Sequence, residues 1–317
     1  MPLQPLFGPF EALVREIYAK AKASVGPRIA AVRLEIAEEP IGRGARAEFR
    51  VIDPEGPVRI TWNGIASLWV FCQGAARLSR RMFDGKRHGL QQLSVDDDLE
   101  LRRGLDCLEM SRRFCTQDVP AHAATLAHWP SWAPAIDVSP PSGSDADTGN
   151  RLFAGSLAWI FRHELAHISL GHAKRETEDG LSTQACETEA DFEATQRLKG
   201  DLRSDPDRIA GAHPENAELQ LEQRALANGL GLIWVALFEV GRHQRNTDHP
   251  PVAERIFACF EALGLREDSA ATEVISDVIQ AWIGPEENWA PPGGHPTARD
   301  SLDEAVMRLH RHFAAIF

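Results

Sequence analysis

Two histidines and a glutamate, His163, Glu164 and His167, stand in the order H-E-x-x-H within the stretch Trp159 to His172. On an α-helix, residues four apart lie about 40° apart in azimuth and about 6 Å apart along the axis. Both imidazoles therefore reach one metal ion from one face, and the glutamate beside the first reaches a water on that ion. Two nitrogen ligands with an adjacent carboxylate base are the working parts of metal-assisted hydrolysis. A solvated helix face would also carry His and Glu, but the flanks here are apolar: Leu152 to Phe161 leads in, and Leu165, Ile168 and Leu170 follow. A buried helix needs a reason for such polar groups, because unpaired buried charge is costly, and metal ligation is such a reason.

Catalytic zinc takes three protein ligands and keeps one position open. A second acidic run, Cys186-Glu187-Thr188-Glu189-Ala190-Asp191-Phe192-Glu193-Ala194, reads as the start of another helix. Helical period puts Glu187, Asp191, Ala194 and Leu198 on one core-facing stripe, and Glu189, Glu193 and Gln196 on a second, solvated one. Glu187 is then the natural third ligand, and Asp191, one turn on, would hold a ligand histidine by its other ring nitrogen. His172 competes as third ligand. Its alternative reading is a histidine at a helix C-terminus, which the helix dipole favours.

H-E-x-x-H followed by E-x-x-x-D resembles the gluzincin metallopeptidases such as thermolysin. The offset from His167 to Glu187 is 187 − 167 = 20 residues, a thermolysin-like spacing. The form Glu187-Thr188-Glu189-Ala190-Asp191 looks more like the E-x-E-A-D of the CAAX-prenyl-protease and heat-shock membrane peptidase families. Those families also carry a downstream H-P-x-x-x-x-R-I element, and His249-Pro250 to Arg255-Ile256 matches it. They are membrane-embedded, whereas no stretch here reads as a transmembrane segment. Among soluble relatives with a similar core, the chain resembles the Lit-type phage-exclusion peptidases, which cut one host protein. The resemblance implies one zinc ion per chain held by His163, His167 and Glu187, with Glu164 as general base and a protein or peptide as substrate. Tyr or His often supplies the oxyanion donor in gluzincins. The single tyrosine, Tyr18, is far away in sequence, so His249 is the first candidate, with Arg255 and His295 as alternatives. A non-catalytic helical interaction protein with a structural or vestigial zinc site is the competing reading, and a zinc hydrolase of a non-peptide amide is a third. Glu164 argues against the first of these, since a structural site needs no general base.

The elements that must position these residues are mostly helical. The zinc helix spans about 149 to 170, with Asp147, Thr148 or Asn150 as N-cap and Gly171 just past its end. Apolar periodicity predicts further helices over 9–24, 64–83, 95–114, 217–243, 251–263, 270–282 and 297–316. The long helix over 217–243 holds an apolar run that is short for a membrane span and contains Asn228 and two glycines, so it reads as a core helix. Segments 29–36, 47–52 and 58–62, the last two flanking Asp53-Pro54-Glu55-Gly56-Pro57, predict a small antiparallel sheet. In gluzincins such a sheet lies beside the zinc helix and binds extended substrate along its edge. The fold class is therefore α+β, mostly α: a small N-terminal antiparallel sheet packed beside a zincin helical core with a helical C-terminal half. The expected division is 1–145, helices plus sheet forming the upper part of the cleft, and 146–317, the zinc-binding core, unless the two are one continuous domain. Residues 117–149 read as a long loop, with Trp129 and Trp132 either lining the cleft or pinning the loop to the core. Residues 173–182 read as a charged connection.

With 317 residues, 43% of them hydrophobic and 25% charged, the composition is that of a soluble globular protein. A net charge of −12 without a basic cluster argues against nucleic acid or an anionic membrane as the main partner. No charged-then-apolar leader is present, and the five cysteines fit no zinc-knuckle spacing, so reduced thiols in the cytoplasm are expected.

Overall fold

A computed structural model describes residues 3–37, 47–52, 56–90, 93–116, 129–204, 214–241, 250–287 and 297–316. After the short α1 (Gln4–Phe7) and α2 (Glu11–Val25) come three strands, β1 (Leu34–Ala37), β2 (Phe49–Val51) and β3 (Val58–Thr61). Helices α3 (Trp62–Arg87) and α4 (Leu99–Thr116) follow, then α5 (Asp145–Leu170), the short α6 (His172–Glu178) and α7 (Thr183–Ser204). The C-terminal half is α8 (Pro214–Gly241), α9 (Val252–Leu263), α10 (Ala270–Glu287) and α11 (Ala298–Ile316). The fold is α+β and mostly α, as the apolar periodicities require.

The sheet departs from expectation in one respect. It is mixed rather than antiparallel, in the order β1-β3-β2: β3 pairs in parallel with β1 and antiparallel with β2. The centre goes to the strand with the most to bury, and Val58 and Ile60 of β3 are fully buried. β2, whose Arg50 is exposed, is left as an edge. The predicted strand from residue 29 also starts later, because Pro27–Ile29 forms a single 3-10 turn.

Helix α5 runs through the middle of the molecule. Its N-cap is Ser144, whose hydroxyl accepts the Asp147 N–H, rather than Asp147, Thr148 or Asn150. Asn150 is instead a buried bracket: its Oδ1 accepts from Trp69 Nε1 at 2.8 Å and Gln73 Nε2 at 3.0 Å, and its Nδ2 donates to the Asp137 carbonyl at 2.9 Å. One turn on, a side chain at Gly155 would come within 2.6 Å of Ala227 Cβ, so only glycine lets α8 approach this closely. Ser156 uses the same approach to donate to the Ala227 carbonyl at 2.7 Å. Phe161 meets Tyr18 of α2 and Phe49 of β2, each at 5.2 Å between ring centroids, and so fixes the edge strand against the helix.

Trp129 settles how the described end of the long loop is used. Its ring packs against Phe7 and Trp69, and its Nε1 donates to the Pro134 carbonyl at 3.0 Å. The tryptophan pins the loop beside Asn150, 13 residues and about 20 Å along α5 from His163. Residues 117–128 of the loop lie outside the described residues. Among the described residues, no helix is long and apolar enough to cross a membrane.

An ion pair between the exposed Lys86 and the buried Asp277 joins α3 to α10, with Lys86 Nζ 2.6 Å from Asp277 Oδ2. Burial outweighs the lysine and pushes the Asp277 carboxyl up to about 6 from 3.8. The folded state therefore holds this proton more tightly than the unfolded chain. The associated stability is full below about pH 4 and is lost as pH rises through about 6, on the order of 3 kcal/mol in total. In Asp277→Asn this part of the pH dependence is expected to vanish. Urea unfolding of both proteins at pH 5 and pH 7 checks it: an unchanged difference between the two pH values would count against the assignment.

Candidate metal centre

The last turns of α5 carry His163 and His167 on one face, and the first turns of α7 bring Glu187 against them. The two Nε2 atoms are 3.1 Å apart. Each lies 3.4 Å from a Glu187 carboxylate oxygen, His163 from Oε2 and His167 from Oε1. Among the described residues these three form a group whose ligand atoms all lie within 4.8 Å of one another. A tetrahedral zinc with bonds of about 2.0–2.1 Å has ligand atoms about 3.3–3.4 Å apart, close to the spacing between the two nitrogens and between each nitrogen and the Glu187 oxygen nearest it. Three donors converging on one point, two of them nitrogens facing each other, fit a metal ion better than they fit one another.

The predicted core stripe of α7 is buried throughout: Glu187, Asp191, Ala194 and Leu198 are all shielded. Asp191 Oδ1 stands 2.9 Å from His163 Nδ1, behind the ring. Arg255 of α9 grips the other side of Asp191 with two hydrogen bonds, Nε to Oδ2 at 2.7 Å and Nη2 to Oδ1 at 2.9 Å, and reaches Glu187 at 3.5 Å. Arg255 is only 4% exposed. That burial, with the Nε/Nη2 edge of the guanidinium committed to Asp191 and Glu187 beneath the site, argues against its expected alternative role as an oxyanion donor. His249 and His295 lie outside the described residues.

Electrostatics follow from this packing. Burial works against a charged His163, but the Asp191 and Glu187 carboxylates outweigh it and push the imidazole up to about 10. His167 goes the other way, to about 3, because burial and the neighbouring His163 charge both disfavour protonation. Asp191 is buried, which alone would raise it, yet Arg255 and His163 hold it below the usual carboxylate range.

Glu164 sits one residue from the first ligand position, half-buried at the mouth of the site. The pairing of β2 with β3 uses the Glu48 carbonyl and the Ile52 N–H, so by alternation the Val51 N–H points away from β3. That N–H donates to Glu164 Oε2 at 3.1 Å. The outer edge of β2 therefore runs beside the glutamate, which takes its Val51 N–H, while just before the strand the Ala47 N–H donates to the Phe114 carbonyl at 2.7 Å.

Two features differ from the sequence reading. His172 does not end a helix. Gly171 adopts a left-handed conformation, φ 67°, and His172 opens α6 on the far side of it, buried behind His167. Glu189 keeps the exposure expected of its stripe, with a side chain 40% exposed, but it is engaged by α6: Arg175 binds both of its oxygens, at 2.5 and 3.1 Å. The stretch after the zinc helix is this helix rather than an open connection.

The Peptidase U49 family model matches residues 58–275, 218 of the 317 residues, and so includes α5, α7 and α9. The cell death peptidase of Escherichia coli (strain K12) is 30% identical over 132 residues, 41% of this chain. The match spans 39% of that relative's own length. No solved structure matches the chain.

Proposed function

The chain belongs to the Peptidase U49 family, and on that premise we propose that it is a zinc-dependent endopeptidase of the gluzincin type, acting on a specific protein. The observation that carries this reading is the convergence of His163 Nε2, His167 Nε2 and the Glu187 carboxylate, with ligand atoms within 4.8 Å of one another and Glu164 beside them. His163, His167 and Glu187 would hold one zinc ion per chain. When bound, zinc supplies Lewis acidity, which makes water a nucleophile near neutral pH and polarises an amide carbonyl.

The remaining chemistry belongs to the chain. Glu164 takes a proton from the attacking water and returns it to the leaving amine nitrogen. Asp191, held by Arg255, orients the His163 ring. With Arg255 buried, His249 is the first candidate for the oxyanion donor and His295 the alternative. The outer edge of β2 beside Glu164 supports a polypeptide substrate, which would lie along that edge and present its backbone to the base. On this reading residues 1–145 supply the upper wall of the cleft and residues 146–317 the ligands. Five unpaired, buried thiols fit a reducing cytoplasm.

The deciding experiment is the metal content of the purified chain, wild type against Glu187→Gln, after mild dialysis. Wild type is expected to keep about one zinc per chain. Glu187→Gln is expected to bind it more than about 100-fold more weakly, beyond the range typical of residues behind a ligand. A folded wild type that neither holds nor takes up zinc would sink this reading in favour of a non-catalytic interaction protein.

A further inference from the structure

His163 is steadied from behind by Asp191, and His167 has a support of its own. Its Nδ1 lies 2.9 Å from Nδ1 of His172, and His172 Nε2 lies 3.3 Å from Oε2 of Glu189. Arg175 fixes that carboxylate through both of its oxygens. The two imidazoles meet nearly edge to face, 82° between planes, and His172 is only 3% exposed. Gly171 turns the chain so that a residue directly after the helix comes back under it.

We propose that His172 and Glu189 are positioning residues that fix the tautomer and orientation of His167 as a metal ligand; this rests on the zinc reading above. The argument is a count of protons. A carboxylate only accepts, so His172 must present its proton to Glu189 from Nε2. Its Nδ1 is then a bare acceptor, and the 2.9 Å contact requires His167 to donate from Nδ1. That leaves His167 Nε2 bare, and Nε2 is the atom facing His163 and Glu187. The order Arg175, Glu189, His172, His167 thus aims one lone pair at the centre from a charge two residues removed. Residues in this relation to a metal-bound histidine set its ring orientation and basicity, and their loss typically weakens metal binding 10–100-fold.

The test uses the full chain: wild type, His172→Phe, His172→Gln and Glu189→Ala. Zinc affinity is measured by competition with a chromophoric chelator, and the fold is checked by metal-free thermal unfolding. His172→Phe fills the space without an acceptor and is expected to bind zinc 10–100-fold more weakly. His172→Gln offers an amide oxygen to the His167 Nδ1–H and is expected to recover most of that loss, which a purely space-filling role would not predict. Glu189→Ala is expected to fall between them. Nitrogen-15 NMR of the wild-type histidines supplies a readout that needs no variant: His172 protonated at Nε2 and His167 at Nδ1. Wild-type affinity in folded His172→Phe, or His172 protonated at Nδ1, overturns the proposal while leaving zinc binding intact. Absence of zinc binding in wild type overturns the zinc reading itself, and with it the role given to His172.

Discussion

Glu164→Gln is expected to leave the fold and the zinc content unchanged and to cut peptide-bond cleavage about 10²–10⁴-fold, the usual share of a general acid–base group. The substitution is gentle where structure is concerned. Glu164 accepts the Val51 N–H through one oxygen, and the glutamine amide oxygen accepts the same bond. It is severe where chemistry is concerned, because an amide takes no proton from water. The measurement is the rate at which new N-termini form in a defined protein mixture, with wild type and variant matched for bound zinc. Equal rates at equal zinc would remove Glu164 from the mechanism and leave the metal with another base.

Arg255→Met is expected to destabilise the chain by about 3–5 kcal/mol, read as a lower urea midpoint. Arg255 and Asp191 are both almost fully buried and hydrogen-bonded in a fork, with Glu187 at 3.5 Å. Removing the cation leaves two carboxylates shielded from water with only the imidazoles to balance them. Arg255→Lys is expected to recover part of the loss, since it restores the charge but not the two-pronged geometry. A variant at position 255 as stable as wild type would mean that Asp191 takes up a proton at little cost, and that the cluster beneath the site is not an ionic one.

The sequence made the helical skeleton legible because its signals are local. Apolar residues recur at helical spacing in nearly every helix described, and the stripe through Glu187, Asp191, Ala194 and Leu198 is buried as its period requires. What escaped depended on how distant pieces meet. His172 and Glu189 come together only because a left-handed glycine turns α6 back onto α7, and no periodicity crosses such a break. The sheet order was hidden for the same reason: a hairpin is written in its turn, but the partner chosen by β1 is not. Arg255 is different. Val252, Ile256, Cys259, Phe260 and Leu263 are all buried on α9, and Arg255, four residues before Cys259, shares their face. Its burial was readable from spacing, and the resemblance to a motif drew attention to the substrate instead.

All five cysteines are buried, and burial holds their thiols far up, Cys72, Cys107, Cys115 and Cys259 to about 12 and Cys186 to about 11. At pH 8 only about one thiol in ten thousand would be a thiolate at a value near 12, so alkylating reagents have almost nothing to attack while the chain stays closed. The cysteines are also well dispersed: Cys72 faces Ser156, Cys115 faces Ser67, Cys259 faces Thr195, and Cys186 immediately precedes Glu187. Labelling kinetics, resolved by peptide, therefore amount to a set of gauges already installed along the core. Each modified cysteine reports which helix pair opened and how often, and Cys186 reports on α7 at the point where it reaches the centre.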